Sequence, residues 1–326
     1  MNSIIADKKI KGFASFLEQK KNIENLFEKE IIKEEDSKEI SLALSNHGYY
    51  RLKGYIKPFL QNKLGKYTCK ENFCTIRKTI DIDLSLREYL LANILKIENH
   101  ITLRISEKIS KEYDPYWHMD SSLFIRDTIG ESASKKNHSS ILRKIKDHTT
   151  LEDGKHPHPG LVRYTQKHDP DIIPSWIVRE CISFGTWVQI FDALGNDQKI
   201  EICKLFRFKK PNSSKRFELT ANDLISWLRS LSILRNNCAH NGLISNKIFS
   251  FHPAQHKDAG SIRNVSGPNI LPRIKAMQFL LSSMQSDSSD EFIKTVNKII
   301  YMHESTGISD NIIHKIFGFD KKSLNQ

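Results

Sequence analysis

The apolar positions Leu86, Leu90, Ile94, Ile97, Ile101 and Ile105 follow one another at intervals of four, four, three, four and four residues. That rhythm draws one face of an α-helix of roughly six or more turns. A helix of that length has to be a core element on which other segments pack. Glu98 lies on the border of the stripe, where a carboxylate is expected to pair with a buried cation. Asn99 and Arg104 flank it as solvated or interface residues.

A second stripe comprises Leu224, Leu228, Leu231, Leu234 and Cys238, at spacings of four, three, three and four. Thr220, with Asp223 three residues on, supplies an N-terminal cap, and Gly242 a stop. On a regular helix Arg235 falls inside this stripe, roughly 20° from the direction of Leu224, so it points at a packed neighbour. Glu98 is the candidate partner. The helix ends in Leu234-Arg-Asn-Asn-Cys-Ala-His-Asn-Gly-Leu-Ile-Ser-Asn246.

Metal-free cleavage of RNA requires a group that takes the ribose 2′-hydroxyl proton, a group that protonates the leaving 5′-oxygen, and a fixed cation for the crowded phosphorane. Histidine moves protons near neutral pH, and arginine is a permanent, forked donor to phosphate oxygens. Arg235 and His240 are five residues apart, roughly 140° on an ideal helix. They converge only if the arginine reaches round or the helix unwinds near Gly242. Asn236 and His240, four apart, share a face, which places the amide to orient the imidazole. The same Arg-to-His separation occurs at Arg143–His148, in a Lys-rich polar segment, and at Arg163–His168, which runs into Asp169-Pro170. Neither has the asparagine or the preceding stripe, and both read as chance. The plainer reading of Arg235 and His240 is a helix C-terminus, with His240 favouring the dipole and Arg235 neutralising a buried carboxylate.

Several stretches together resemble the Abi-like family of bacterial abortive-infection proteins (the AbiD/AbiF group), within the HEPN superfamily. They are Gly48-Tyr-Tyr-Arg-Leu-Lys-Gly-Tyr-Ile-Lys-Pro-Phe59, Asp81 to Arg104, Pro174-Ser-Trp176 followed by Glu180-Cys-Ile-Ser-Phe-Gly185, and Leu234 to Asn246. Four motifs in order are far more specific than one. The resemblance covers roughly residues 12 to 250 and implies an all-α, HEPN-type helical bundle, dimeric ribonuclease activity and a role in phage defence. It makes Arg235, Asn236 and His240 the catalytic candidates, supported by Asn241, Asn246, Glu98 and Glu180. Where related members carry a basic residue three positions after the motif histidine, this chain has Leu243, which weakens the expected grip on substrate more than the cleavage chemistry.

Before the first core helix, aromatics interleave with cations at Tyr49, Tyr50, Arg51, Lys53, Tyr55 and Lys57. That mixture suits base stacking and phosphate contact. Alternatively Tyr50, Leu52, Tyr55 and Phe59 anchor a hairpin to the core while the cations stay wet. Two short helices are expected ahead of this signature, and a polar connector at 61–78 after it. Residues 113–170 read as helices broken by loops, inserted into the helical core. Here His156 and His158 with His148 or Asp153 offer metal-ligating side chains, but the flanking prolines argue for an irregular loop, and no metal is expected. Trp176 through Leu194 reads as one core helix. The stretch 206–217, with Arg207, Lys209, Lys210, Lys215 and Arg216, is the densest basic–aromatic loop and a candidate RNA-docking edge. Ile274–Met284 and Phe292–Met302 read as two amphipathic helices.

Fifty Lys and Arg against 38 Asp and Glu give a formal charge of +12, which favours polyanionic partners. Five cysteines without a Cys-x-x-Cys pair speak against a disulfide framework or a four-thiolate zinc site. No segment approaches the about 20 apolar residues of a membrane span, and Asp7, Lys8 and Lys9 leave no secretory apolar region, so a cytoplasmic protein without cofactors is expected. The resulting reading is an N-terminal helical extension (1–75), a helical core (76–250) and a C-terminal helical extension (251–326). With one Arg–His motif per chain, two copies are expected to join as a homodimer with the motif helices at the interface. The competing reading is an RNA-binding protein that holds a structured non-coding RNA, its nuclease activity suppressed or lost.

Overall fold

Asn72 caps the long helix through its side chain, and the helix then runs unbroken for 40 residues (α4, Phe73–Glu112), about 60 Å at 1.5 Å per residue. All six residues of its stripe are at most 1% exposed. The computed structural model describes residues 14–28, 31–63, 66–126, 128–151, 158–209, 216–256, 269–284 and 288–325. Among them the fold is all-α: fourteen α-helices with two short antiparallel hairpins. No helix of the described residues is long and apolar enough to cross a membrane.

Ahead of α4 come α1 (Phe16–Glu24), opened by a Ser15–Glu18 capping box, α2 (Glu34–His47) and α3 (Tyr49–Ile56). The aromatic signature is therefore helical at its start. Leu52, Tyr55 and Phe59 are buried as core anchors, but Tyr50 is 87% exposed. In a strand Tyr50 and Leu52 would share a face, whereas a helix turns them about 160° apart. The polar connector pairs Leu60–Lys63 (β1) with Lys66–Cys69 (β2), and α4 starts soon after.

Beyond α4 lie α5 (Gly130–Thr149), α6 (Pro159–Thr165), α7 (Ser175–Cys181), α8 (Phe184–Ala193) and α9 (Asn196–Cys203). The single helix expected over 176–194 is thus two. The break falls at Ser183, whose hydroxyl accepts the Thr186 N–H at 3.2 Å and caps α8, a local bond that competes with helix continuation. Next come the two-residue strands at 208–209 (β3) and 216–217 (β4), and the motif helix α10 (Ala221–Ala239). The C-terminal part holds α11 (Leu271–Ser282), α12 (Ser288–Ile300), α13 (Asp310–Phe317) and α14 (Lys321–Asn325).

Helix α10 packs on α4 and α8, and α11 packs on α4, α10 and α12. Buried on nearly every side, α11 is not the amphipathic surface helix its charges suggested. Arg273 and Lys275 are 0% and 2% exposed. Their charges meet backbone carbonyls instead of solvent: Lys275 Nζ donates to Leu324 O at 2.6 Å, and Arg273 donates to the carbonyls of Asn269 and Phe251 with its guanidinium 4.0 Å over the Phe249 ring. Burial pushes the Lys275 ammonium down to about 8 and the Arg273 guanidinium down to about 10, because a desolvated cation is disfavoured.

Candidate active site

Thr220 Oγ1 accepts the Asp223 N–H at 3.2 Å and opens α10, and the five stripe residues that follow are at most 6% exposed. Arg235 projects from this packed helix toward α4. Its Nε stands 3.8 Å from Glu98 Oε2, with side chains 31% and 19% exposed. Burial pushes the Glu98 carboxyl up, and the adjacent guanidinium opposes that shift. Asn236 Oδ1 accepts from Arg235 Nη1 at 3.3 Å. The amide expected to orient the imidazole is therefore occupied by the arginine, whose donors lie next to it. The helix holds its geometry until His240, the C-cap, whose N–H donates to Asn236 O at 3.0 Å. The exposed His240 imidazole has no partner among the described residues.

The chain turns sharply after the histidine. Asn241 takes the left-handed conformation (φ 59°), which asparagine tolerates better than most residues. Asn237 Nδ2 spans the turn, donating to Gly242 O at 3.2 Å and Leu243 O at 3.1 Å. Two arginines converge on Asn241: Arg51 of α3 donates to its carbonyl and, at 3.0 Å, to its Oδ1, which Arg87 of α4 also reaches. Beneath them lies Asp83, fully buried. Its Oδ2 accepts from Tyr55 Oη at 3.0 Å and Arg87 Nε at 2.8 Å, while its Oδ1 accepts from the backbone N–H of Ile244 at 3.0 Å and of Ser245 at 2.7 Å. One carboxylate thus joins α3, α4 and the turn that carries the end of the motif. Burial and the neighbouring carboxylate push the Tyr55 phenol well above its usual range. Asn246 (φ 51°) closes the segment, its N–H donating to Ile316 O at 2.5 Å.

A family model described as Abi-like protein matches residues 42–246, well over half of the 326-residue chain. The chain belongs to the Abi-like family. The match opens inside α2 and closes on Asn246, so it takes in all four sequence stretches and every partner of Asp83. Family membership groups the chain with abortive-infection defence proteins. No curated protein and no solved structure matches it.

In this Abi-like protein the place of the expected basic residue is filled for a packing reason. Leu243 is half-buried, and a Cβ on Gly54 of α3 would lie 2.6 Å from its Cδ1. Glu180 pairs with its neighbour Arg179, whose Nη1 also donates to Asn99 Oδ1 at 2.7 Å. Lys53 and Lys57 are exposed on and just after α3, the former 5.9 Å over the Tyr49 ring. Arg207 pairs with Glu218 at 3.2 Å, and exposed Arg216 lies across the ladder from Lys209. Lys210, Lys215, Asp153 and His156 lie outside the described residues, and His158 caps α6.

Sequence reading missed Asp83, Arg87 and Asn237. A signal was available for the first two. Ile76, Ile80, Asp83, Arg87, Leu90, Ile94 and Ile97 form a run at alternating steps of four and three, so an acid and a base four apart occupy core positions of α4. Charges in an apolar register mark a buried pair with further hydrogen-bond partners.

Proposed function

We propose that this Abi-like protein is a HEPN-type endoribonuclease of anti-phage abortive infection, cleaving RNA by metal-independent transesterification. The observation that supports this reading most is the asymmetry of the motif: Arg235 is held by Glu98 and Asn236, while the His240 imidazole stands exposed and unpartnered. A pre-set cation and an unpartnered proton carrier at the end of one helix are the two groups that phosphoryl chemistry needs.

In this mechanism an imidazole takes the 2′-hydroxyl proton as the 2′-oxygen attacks phosphorus. Arg235 donates to the non-bridging oxygens of the phosphorane. The P–O5′ bond breaks, and the 5′-oxygen receives a proton from an imidazolium, leaving a 2′,3′-cyclic phosphate and a 5′-hydroxyl. One motif histidine per chain argues for a homodimer in which two motif ends face one another, one imidazole acting as base and the other as acid. Asn236 serves the reaction through Arg235. Asn241 and Asn246 shape the turn, and Arg51 works on Asn241. Lys53, Lys57 and the basic residues of the stretch 207–216 are left to carry RNA.

The test is incubation of end-labelled RNA in EDTA with wild type and His240→Ala. Cleavage by wild type alone, with cyclic-phosphate ends, is expected. A folded, dimeric His240→Ala protein that cleaves at the wild-type rate would overturn the mechanism. No cleavage by either, with one discrete RNA recovered from both, would favour the RNA-binding reading.

A further inference from the structure

A groove of about 490 Å³ opens between α5, α8 and α10, a volume within the range of small-ligand sites. Its rim is basic, with Lys144 and His148 from α5 and Arg229 from α10 against the single lining carboxylate of Asp147. Arg229 is shared with Asp192 at 2.9 Å, and Lys144 donates to Gln189 Oε1. Neither contact is buried, so both cations can turn to an anion in the groove.

The floor adds a polar group. Ser232 is 8% exposed and lines the groove, yet its hydroxyl has no hydrogen-bond partner among the described residues. The hydroxyl opens onto the groove, so it is available to whatever enters. Gly185 keeps the space open, since a Cβ there would lie 3.1 Å from Ser232 Oγ. Asn236, which holds Arg235, also lines the groove. Arg229, Ser232 and Asn236 follow at helical steps of three and four, so they form one line along α10 that leads to the motif.

We propose that this groove is a nucleotide subsite that receives the RNA strand next to the scissile phosphate. Lys144, His148 and Arg229 take a neighbouring phosphate, and Ser232 bonds the attached sugar. The assignment rests on the endoribonuclease reading and supplies the strand-positioning contact that Leu243 does not offer. It also gives His148, which sequence treats as part of a chance Arg–His pair, a place beside the motif.

The test is fluorescence anisotropy of a labelled single-stranded RNA decamer at several salt concentrations, in a His240→Ala background so that the strand is not consumed. Lys144→Ala is expected to weaken binding on the order of tenfold and to reduce the slope of log affinity against log salt by about 0.7, the loss of one phosphate contact on a single strand. His148→Ala should also weaken binding. Ser232→Leu, which fills the groove, should weaken binding while keeping the salt slope. Unchanged affinity and slope in both Lys144→Ala and His148→Ala would overturn the proposal, and because His148 is exposed and Lys144, half-buried, bonds only the exposed Gln189 side chain, these variants are expected to fold. Lys144-dependent binding of AMP without Lys144-dependent binding of the decamer would also overturn it, in favour of a free nucleotide. Lys144-dependent decamer binding by a protein that never cleaves RNA would uphold the subsite and remove the nuclease reading alone.

Discussion

Replacing Asp83 tests whether the motif end is held from below. The wild-type carboxylate accepts four hydrogen bonds, from Tyr55, Arg87, Ile244 and Ser245, at 2.7 to 3.0 Å, with no exposure to solvent. Asp83→Ala leaves the 5%-exposed Arg87 without its counter-charge, a change that costs about 3–5 kcal/mol. It also orphans two backbone N–H groups, at about 1–3 kcal/mol each if dry. Water entering the vacated space offsets part of this, so the net loss should be on the order of 5 kcal/mol. That is comparable to the whole stability of many domains, and milder variants are needed beside it. Asp83→Asn keeps the shape and the acceptor for the two amides but turns an NH2 group toward Arg87 and Tyr55, for an expected loss of about 3 kcal/mol. Tyr55→Phe removes one bond to a charged acceptor, about 1.5–3 kcal/mol, and should fall lowest in the series. Urea unfolding followed by tryptophan fluorescence reads all three, and hydrogen exchange should show the Ile244 and Ser245 amides opening first. An Asp83→Asn protein within about 1 kcal/mol of wild type, the ordinary range for an inconsequential substitution, would refute the reasoning.

Two other perturbations address the packing. Gly54→Ala should destabilise by about 1–3 kcal/mol through collision with Leu243, and Leu243→Ala in the same chain should recover part of that loss, a coupling that a double-mutant cycle measures. Lys275→Met should stabilise the protein at neutral pH. The folded-state ammonium titrates at about 8 against an ordinary 10.5, so folding favours the neutral form. Its cost, up to about 3 kcal/mol, is fully present below the folded value and fades as pH rises through 8 toward 10.5. Wild-type stability should climb across that window, and the climb should be missing in Lys275→Met.

Much of the scaffold is legible in the sequence because it follows periodicity and local caps. The stripes of α4 and α10 and the Thr220 cap are short-range patterns, and helix follows from them directly. The Glu98–Arg235 pairing is readable for a related reason, since Arg235 falls within one apolar stripe and Glu98 on the border of the other. What escaped reading depends on long-range partners or on a choice of period. Tyr50, grouped with Leu52, Tyr55 and Phe59 as an anchor of a hairpin, faces solvent because the segment is helical and turns it away from Leu52. Ser183 interrupts an apolar run with a bond to Thr186 that periodicity cannot see. Arg273 and Lys275 look like surface residues until the carbonyls of Phe251 and Leu324 arrive from other parts of the chain. Asp83 is bonded to amides more than 160 positions away, a distance no local pattern spans.

The burial of α11 has a practical consequence for anyone dividing this chain. The family match ends at Asn246, an inviting place to cut. Yet α11 fills the space between α4 and α10, and Asn246 itself is bonded to Ile316. A fragment stopped at the family boundary would lay bare the inner faces of the two helices that carry Glu98 and Arg235. Loss of cleavage by such a fragment would report a collapsed scaffold and carry no information about the motif. Point substitutions in the full chain are the sound way to question this site.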